Sequence, residues 1–138
     1  MDDFSGVKVA LLIGNKLLMI QRDNKPGLRF AGLWDFPGGA KEGTETPFAC
    51  AAREIKEELG VNLKESMLFW QSTHPAMHDP SLKAYFMVAK VTDSDIANIK
   101  FGDEGQGWKL MSISDFINSD EVVEPLKERL QGYLVSRT

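Results

Sequence analysis

The chain has 138 residues, 43% of them hydrophobic and 26% charged, with a formal net charge of −4 at pH 7. This length and composition predict one globular domain over residues 1–138, large enough to bury a core. An acidic chain offers no basic surface for duplex nucleic acid or an anionic membrane, and no window approaches the roughly 18 apolar residues of a membrane span. The N-terminus lacks a basic, apolar leader, so we expect a cytoplasmic protein.

The N-terminal third of the chain predicts a β-hairpin and a loop. Apolar residues alternate over 7–13, Gly14-Asn15 is a tight-turn signal, and residues 16–20 form a second apolar run. Residues 23–32 contain one proline and two glycines and predict a loop. Residues 33–39 then favour a short strand that is interrupted by a proline.

An amphipathic helix over residues 46–59 is predicted next. Thr46-Pro47 is typical of a helix start and Gly60 of a helix end. At about 100° per residue, Phe48, Ala51, Ala52, Ile55 and Leu59 form an apolar face, and Glu54, Glu57 and Glu58 form an acidic face. Like charges at these spacings destabilise a helix by about 0.2–0.5 kcal/mol per pair, whereas Mg²⁺ or Mn²⁺ prefers such carboxylate ligands. The acidic face therefore indicates a metal site, with a merely solvated face as the alternative.

Two further strands are predicted by the apolar runs at 67–71 and 82–91. Residues 74–80 between them contain two prolines and predict a loop. His74 and His78 have a spacing that suits a shared metal ion only on a helix. We therefore expect them to contact substrate at a pocket rim.

The C-terminal third begins with a polar segment, 92–107, and predicts two helices after it. One short helix is expected at 114–118 and a longer one from 119 or 120 to about 135. Val122, Leu126, Leu130, Tyr133 and Leu134 have the spacing of an apolar stripe. These helices are expected to close the sheet and one wall of the pocket.

A specific spacing runs from Gly39 to Val61. Glu45 follows Gly39 after five residues, and the run R-E-I-x-E-E-x-G-V begins seven residues later at Arg53. The segment resembles the Nudix box at every fixed position, and the lead-in W-D-F-P-G-G over 34–39 is similar to that of the MutT-like branch. The resemblance implies an α/β fold, an α/β/α sandwich around a mixed sheet. It also implies Mg²⁺- or Mn²⁺-dependent hydrolysis of a phosphoanhydride in a nucleoside diphosphate derivative.

The resemblance further implies roles for individual residues. The expected metal ligands are the Gly38 carbonyl and the side chains of Glu54, Glu57, Glu58 and Glu104, with Asp103 as the alternative to Glu104. The expected catalytic residues are Glu45, Arg53 and Glu54. Glu54 would ligate a metal or deprotonate water, Arg53 would orient the acidic cluster, and Glu45 would support the metal site. A plain ion pair between Glu45 and Arg53 is the alternative, and it would still organise the site.

Substrate contacts are expected from Arg22, Asp35 and Gly39. Arg22 would meet the phosphates, with an ordinary strand-end arginine as the alternative. Trp34 and Asp35 point to opposite faces of a strand, and the aspartate is the better partner for a purine because its carboxylate accepts hydrogen bonds from N–H groups. Trp34 is expected to pack under the sheet. Alternatively, Asp35 only caps the loop.

The nature of the substrate is less sharply predicted. The MutT-like branch implies conversion of a (deoxy)nucleoside triphosphate to the monophosphate and pyrophosphate. MutT-type enzymes that remove oxidised guanine nucleotides carry an asparagine before a Glu-Pro pair, but here Val123 precedes Glu124-Pro125, which weakens that specific expectation. Asp35 or Asn118 could take over the contact. A dinucleoside polyphosphate, a nucleotide sugar or a non-catalytic nucleotide sensor remain alternatives, and the oligomeric state, monomer or homodimer, stays open.

Overall fold

A mixed β-sheet separates two helical layers in residues 3–137, the part of the chain that this computed structural model describes. The strands are β1 (Gly6–Ile13), β2 (Lys16–Gln21), β3 (Trp34–Asp35), β4 (Gly38–Ala40), β5 (Leu68–Pro75), β6 (Lys83–Lys90) and β7 (Gly107–Ser112). The helices are α1 (Pro47–Leu59), α2 (Asp93–Ala97), α3 (Ile113–Asn118) and α4 (Pro125–Ser136), and a 3-10 turn covers Glu65–Met67. Strand β1 runs parallel to β6, and the other pairings are antiparallel, so the sheet is mixed.

The alternation along β1 explains the two layers. Val9 and Leu11 face a core that also contains Ile55 of α1, whereas Ala10 and Leu12 face a second core. That second core is completed by Phe116 of α3 and by Leu126, Leu130 and Tyr133 of α4. The expected α/β/α sandwich with a mixed sheet is confirmed.

Strands β1 and β2 part soon after the hairpin turn. They pair only at residues 12–13 and 16–17. Beyond that point β1 pairs with β4, while β2 pairs with β3. The segment 34–40 therefore fills the gap between two diverging strands, and this gap opens toward the C-terminal part of α1.

The helix predicted over 46–59 is confirmed as α1. The Thr46 hydroxyl accepts a hydrogen bond from the Ala49 N–H, Pro47 occupies the first turn, and Gly60 ends the helix with a left-handed φ of 70°. The predicted short strand at 33–39 is divided into β3 and β4. No helix in residues 3–137 is both long and apolar enough to cross a membrane.

Three segments differ from the prediction. Strand β5 continues to Pro75, so His74 lies in a strand at the sheet edge and not in the predicted loop. Helix α4 begins only at Pro125, because Val122 is instead held in a bridge with Trp34. The polar segment 92–107 contains the short helix α2, which begins with a capping box formed by Thr92 and Asp95.

Candidate active site

Arg53 ties the acidic face of α1 to the loop before the helix. Its Nε and Nη2 donate to the Glu45 carboxylate at 2.7 and 3.1 Å, and Nη1 donates to Glu54 at 2.8 Å. Nη2 also donates to the Ala40 carbonyl at 2.8 Å, which joins the helix to β4. The hydrogen bond from Arg53 lowers the pKa of Glu45, and the same contact raises the pKa of the guanidinium group. Arg53 and Glu45 thus hold the helix and the loop in one arrangement.

Glu54 lies against the backbone of Gly39. A Cβ atom at position 39 would come within 2.5 Å of the Glu54 Cδ atom, so the carboxyl group occupies the space that glycine leaves. Burial raises the pKa of Glu54, while the hydrogen bond from Arg53 acts in the opposite direction. The Glu54 carboxyl group is therefore a partly desolvated acid at the start of β4.

Glu58 reaches the same strand one turn further along α1. The Gly38 N–H donates to Glu58 Oε1 at 2.8 Å. Burial raises the pKa of Glu58 to about 8, although this hydrogen bond and the charge of Lys8 oppose the change. Gly38 has a φ of 141°, and a Cβ atom there would collide with the Val7 carbonyl. The close approach of α1, β4 and β1 thus depends on two adjacent glycines.

The carboxylates of α1 line a cavity of about 540 Å³, hereafter the acidic cavity, where β1 and β2 separate. Its walls include Lys8, Arg22, Asp35, Gly38, Gly39, Glu42, Glu54, Glu57, Glu58, Asp103 and Glu104. The expected metal ligands Gly38, Glu54, Glu57, Glu58 and Glu104 and the expected substrate contacts Arg22, Asp35 and Gly39 all lie in these walls. Glu45 and Arg53 lie behind them and act on the cavity through Glu54 and Ala40.

The donor set of the acidic cavity suits a hard divalent cation. Within residues 3–137, no three acidic, histidine or cysteine side chains already converge on one point. The walls nevertheless offer carboxylate oxygens from α1 and from the loop at 103–104, and Glu58 keeps a partly buried carboxyl group that receives only a backbone hydrogen bond. Mg²⁺ and Mn²⁺ prefer such oxygen ligands, so the residues fit either ion.

Asp35 anchors the opposite wall. It is 4% exposed, and its Oδ2 accepts hydrogen bonds from Lys8 Nζ at 2.9 Å and Arg22 Nη1 at 3.0 Å. Its Oδ1 is buried without any hydrogen-bond partner. Trp34, the preceding residue, packs against the core under α3 and α4, with Lys109 Nζ 4.3 Å from its ring.

A second cavity, of about 240 Å³, lies beside the first toward α4, and we call it the α4 cavity. Its walls include Arg29, Phe30, Ala76, Met77, His78, Val123 and Arg129. Lys8, Arg22 and Asp35 line both cavities, so the two share a wall.

The other residues considered as substrate contacts lie in the α4 cavity or outside both cavities. Val123 lies in the wall of the α4 cavity, but Asn118 does not. The side-chain amide of Asn118 instead donates to the Ser114 carbonyl at 3.0 Å within α3. His78 lines the α4 cavity. The ring of His74 instead lies 2.7 Å from the Ser72 hydroxyl on β5, outside both sets of walls. Asn118 and His74 are thus placed away from the cavities where contact was expected.

Sequence reasoning missed Lys8 and Arg129. Lys8 occupies a position between the apolar residues of β1, where a charged side chain is ordinary, so the alternation gave no reason to single it out. Arg129 occupies the buried face of α4, three residues after Leu126 and four before Tyr133, where an apolar side chain is the usual occupant. Of the two, Arg129 is the charge at a position that the pattern assigns to the core.

Comparison with known proteins identifies the family. The NUDIX domain family model matches residues 4–132. The chain is 30% identical over 76 residues to an 8-oxo-dGTP diphosphatase from Proteus vulgaris and 32% identical over 101 residues to an ADP-ribose pyrophosphatase from Methanocaldococcus jannaschii. These matches cover 55% and 73% of this chain but only 66% and 57% of those relatives, so the matched region spans less than two-thirds of their length.

A solved structure shows the same fold over nearly its full length. It is a MutT protein from Methanosarcina mazei Go1, with a TM-score of 0.74, 17% identity, and coverage of 99% of this chain and 97% of that one. The family model covers nearly the whole chain, the spacing from Gly39 to Val61 is unbroken, and the architecture agrees with both, so the chain belongs to the Nudix family.

Proposed function

We propose that the protein hydrolyses a phosphoanhydride bond in a nucleoside diphosphate derivative, with a (deoxy)nucleoside triphosphate as the preferred substrate. The observation that carries the proposal is the acidic cavity, where the glutamates of α1 face Lys8 and Arg22 across the gap between β1 and β2. A polyphosphate needs both kinds of group, because cations on the protein attract it and carboxylates do so only through bound metal. The 8-oxo-dGTP diphosphatase among the relatives supports a triphosphate substrate.

Mg²⁺ or Mn²⁺ is the proposed cofactor. Glu57, Glu58 and the Gly38 carbonyl are the proposed ligands, with Glu54 and Glu104 completing the set. When bound, the ion would neutralise phosphate charge and make water a better nucleophile.

Four side chains have the other proposed roles in the reaction. Glu54 is the proposed base, and its raised pKa suits a group that takes a proton from water near neutral pH. Arg53 and Glu45 are positioning residues, because they hold Glu54 and β4 in place through the hydrogen bonds at 2.7–3.1 Å. Arg22 is proposed to contact the phosphates while its Nη1 keeps Asp35 in place.

The proposed reaction transfers the β,γ-diphosphoryl group of the triphosphate to water, and the nucleoside monophosphate leaves. The water oxygen attacks the β-phosphorus, its proton passes to Glu54, and the bond from that phosphorus to the oxygen bridging to the α-phosphate breaks. The products are a nucleoside monophosphate and pyrophosphate, and the oxygen from water stays in pyrophosphate.

A nucleotide panel in ¹⁸O-labelled water tests the proposal. Purified protein with Mg²⁺ is incubated with each nucleoside triphosphate, with 8-oxo-dGTP, with ADP-ribose and with diadenosine tetraphosphate, and the products are analysed by mass spectrometry. We expect a triphosphate to be the best substrate and the label to appear in pyrophosphate. Label in the monophosphate, or release of single phosphate, would contradict attack at the β-phosphorus.

ADP-ribose is the second candidate substrate, because the Methanocaldococcus jannaschii ADP-ribose pyrophosphatase aligns with 73% of this chain. The panel separates the candidates directly. A third reading, a nucleotide sensor without activity, is disfavoured by the complete set of glutamates in α1. Tight binding of one nucleotide without turnover of any would support it.

A further inference from the structure

The α4 cavity contains a buried arginine with most of its donors unused. Arg129 is 4% exposed, and in residues 3–137 its guanidinium group makes one hydrogen bond, from Nη2 to the Pro75 carbonyl at 3.1 Å, and no salt bridge. A guanidinium group has five N–H donors, and a buried donor without a partner costs free energy. Arg129 therefore lines this cavity with most of its donors unpaired.

An unused acceptor lies in the wall of the same cavity. Lys8 and Arg22 both bind Asp35 Oδ2, which leaves Oδ1 buried and without a partner. The two charged groups also influence each other, because the Asp35 carboxylate counteracts the lowering of the Arg129 pKa by burial. The cavity thus combines a free donor group from α4 with a free acceptor from β3.

The other charged residues of this cavity are already engaged. Arg29 donates to the Met77 carbonyl and lies over the Phe30 ring, 4.9 Å from its centroid. Lys8 and Arg22 are paired with Asp35. Between them the walls are apolar, formed by Phe30, Ala76, Met77 and Val123.

These features describe the complementary ligand. It is largely apolar, it offers an acceptor to Arg129, and it offers a donor to Asp35 Oδ1. A phosphate group supplies no donor, so it would leave the buried Asp35 Oδ1 without a partner. A nucleobase satisfies all three requirements, and a volume of about 240 Å³ accommodates a purine.

We infer that Arg129 is the specificity-determining residue for the base and selects a 6-oxopurine, guanine or hypoxanthine. A 6-oxopurine places a C6 carbonyl acceptor next to an N1–H donor, which matches Arg129 and Asp35 Oδ1 in turn. In the same orientation, adenine presents an amino donor to the arginine and a lone pair to the carboxylate. This inference rests on the proposed function, since it assumes that the substrate is a purine nucleotide.

The test compares hypoxanthine with adenine, which differ only at these two neighbouring positions. Binding of IMP and AMP is measured by calorimetry in EDTA, so that neither metal nor turnover contributes, and kcat/KM is measured for dITP and dATP with Mg²⁺. For the unaltered protein we expect a preference for the oxo nucleotide of about 10- to 100-fold in both assays. Arg129→Met keeps the length of the side chain but removes the donors, and it should lower the ratio several-fold, leaving the part that Asp35 contributes.

Two further variants separate recognition from folding. Lys127→Met removes a positive charge from the same helix, at a side chain that binds the Ser119 carbonyl away from both cavities, and should leave the ratio unchanged. Arg129→Lys keeps a charged donor and should give an intermediate ratio even if Arg129→Met folds poorly. A purely structural role for Arg129 would lower the melting temperature and weaken both nucleotides equally.

The outcomes distinguish this inference from the proposed function. Equal affinity of the unaltered protein for IMP and AMP, or an unchanged ratio in Arg129→Met, overturns the assignment of Arg129 while leaving hydrolysis intact. Absence of turnover with every nucleotide contradicts the proposed function, but the IMP-to-AMP ratio in EDTA still decides the role of Arg129.

Discussion

Glu57 and Glu58 are adjacent in α1, yet the protein surrounds them differently. The Glu57 side chain is 58% exposed at the edge of the Arg53 network. Burial raises the pKa of Glu58 from 4.5 to about 8. Between pH 4.5 and about 8, the Glu58 carboxyl group is protonated in the folded protein and ionised in the unfolded chain. The free energy of unfolding therefore falls as pH rises. The metal-free protein should therefore lose stability across this window because of Glu58.

Glu58→Gln removes this pH-dependent loss and keeps an acceptor for the Gly38 N–H. We expect it to raise the Tm of the protein in EDTA at pH 8 by about 5–10 °C and to leave the Tm at pH 4 nearly unchanged. Glu57→Gln is the matched control, since it removes a solvated charge from the same helix and should change the Tm little at either pH. Thermal unfolding followed by circular dichroism measures both.

Activity gives the second measurement on the same two variants. If both side chains hold the metal, each variant should lose about 100-fold or more in kcat at saturating Mg²⁺. Near-normal turnover in both would contradict the metal assignment. Equal stabilisation of both variants at pH 8 would show that repulsion along the helix, and not burial of Glu58, dominates.

The role of a single residue could be predicted from the sequence where its partners lie close to it along the chain. The fixed spacing from Gly39 to Val61 was enough to propose the glutamates of α1, because they share one helix face. Lys8 and Arg129 escaped prediction because their role depends on how β1 and α4 meet β3. That arrangement is set by tertiary packing, and one charge in an apolar pattern does not reveal which partner it faces.

Helix α1 and strand β4 meet across Gly38 and Gly39, and the two glycines are required for different reasons. A Cβ at position 39 would meet the end of the flexible Glu54 side chain, which can move aside. A Cβ at position 38 would meet the backbone carbonyl of Val7, and the φ of 141° there disfavours any other residue. One glycine makes room for a side chain and the other for a neighbouring strand.

Paired substitutions test this difference. Gly39→Ala should displace the Glu54 carboxyl group, lowering kcat by about 10-fold or more with a small loss of Tm. Gly38→Ala should disrupt the pairing of β4 with β1 and lower the Tm by about 10 °C or more. Differential scanning fluorimetry and steady-state kinetics measure both variants. Full activity in Gly39→Ala would show that the position of Glu54 is not critical for turnover.

The ends of the helices and strands show where the local sequence is sufficient to predict a boundary. Helix α1 was predicted almost to the residue because Thr46, Pro47 and Gly60 mark its ends. Helix α4 was predicted five or six residues too early, since the apolar spacing of Val122 also suits the bridge that it makes with Trp34. Pro125 at the first helical turn was the local signal for the true start. Strand β5 extends to Pro75 because pairing with β6 on one side tolerates a proline at an edge.

At the scale of the whole molecule, charge is divided between the two cavities. The acidic cavity carries the glutamates of α1 and the acids at 103–104, whereas Arg29 and Arg129 lie only in the α4 cavity. Their shared wall holds Lys8, Arg22 and Asp35. A nucleotide that spans both would place its phosphates against the glutamates and its base near α4. The net charge of −4 adds a long-range repulsion of any polyanion.

This division predicts that metal determines how the phosphate chain contributes to affinity. Without metal, each added phosphate gains attraction from Lys8 and Arg22 but meets repulsion from Glu54, Glu57 and Glu58, and the two effects nearly cancel. With Mg²⁺, the repulsion becomes attraction. We therefore expect α,β-methylene GTP to bind at least about 10-fold more tightly than GMP in Mg²⁺, and within about 3-fold of GMP in EDTA.

Calorimetry with these two ligands, neither of which is cleaved at the α–β position, measures the effect at equilibrium. Glu57→Gln is the informative variant, because removing one acid should weaken the advantage of the triphosphate in Mg²⁺ while improving triphosphate binding slightly in EDTA. If the triphosphate keeps its full advantage in EDTA, Lys8 and Arg22 hold the phosphates without metal. The glutamates of α1 would then need another role, since a cluster of like charges that neither binds metal nor meets substrate only destabilises the helix that carries it.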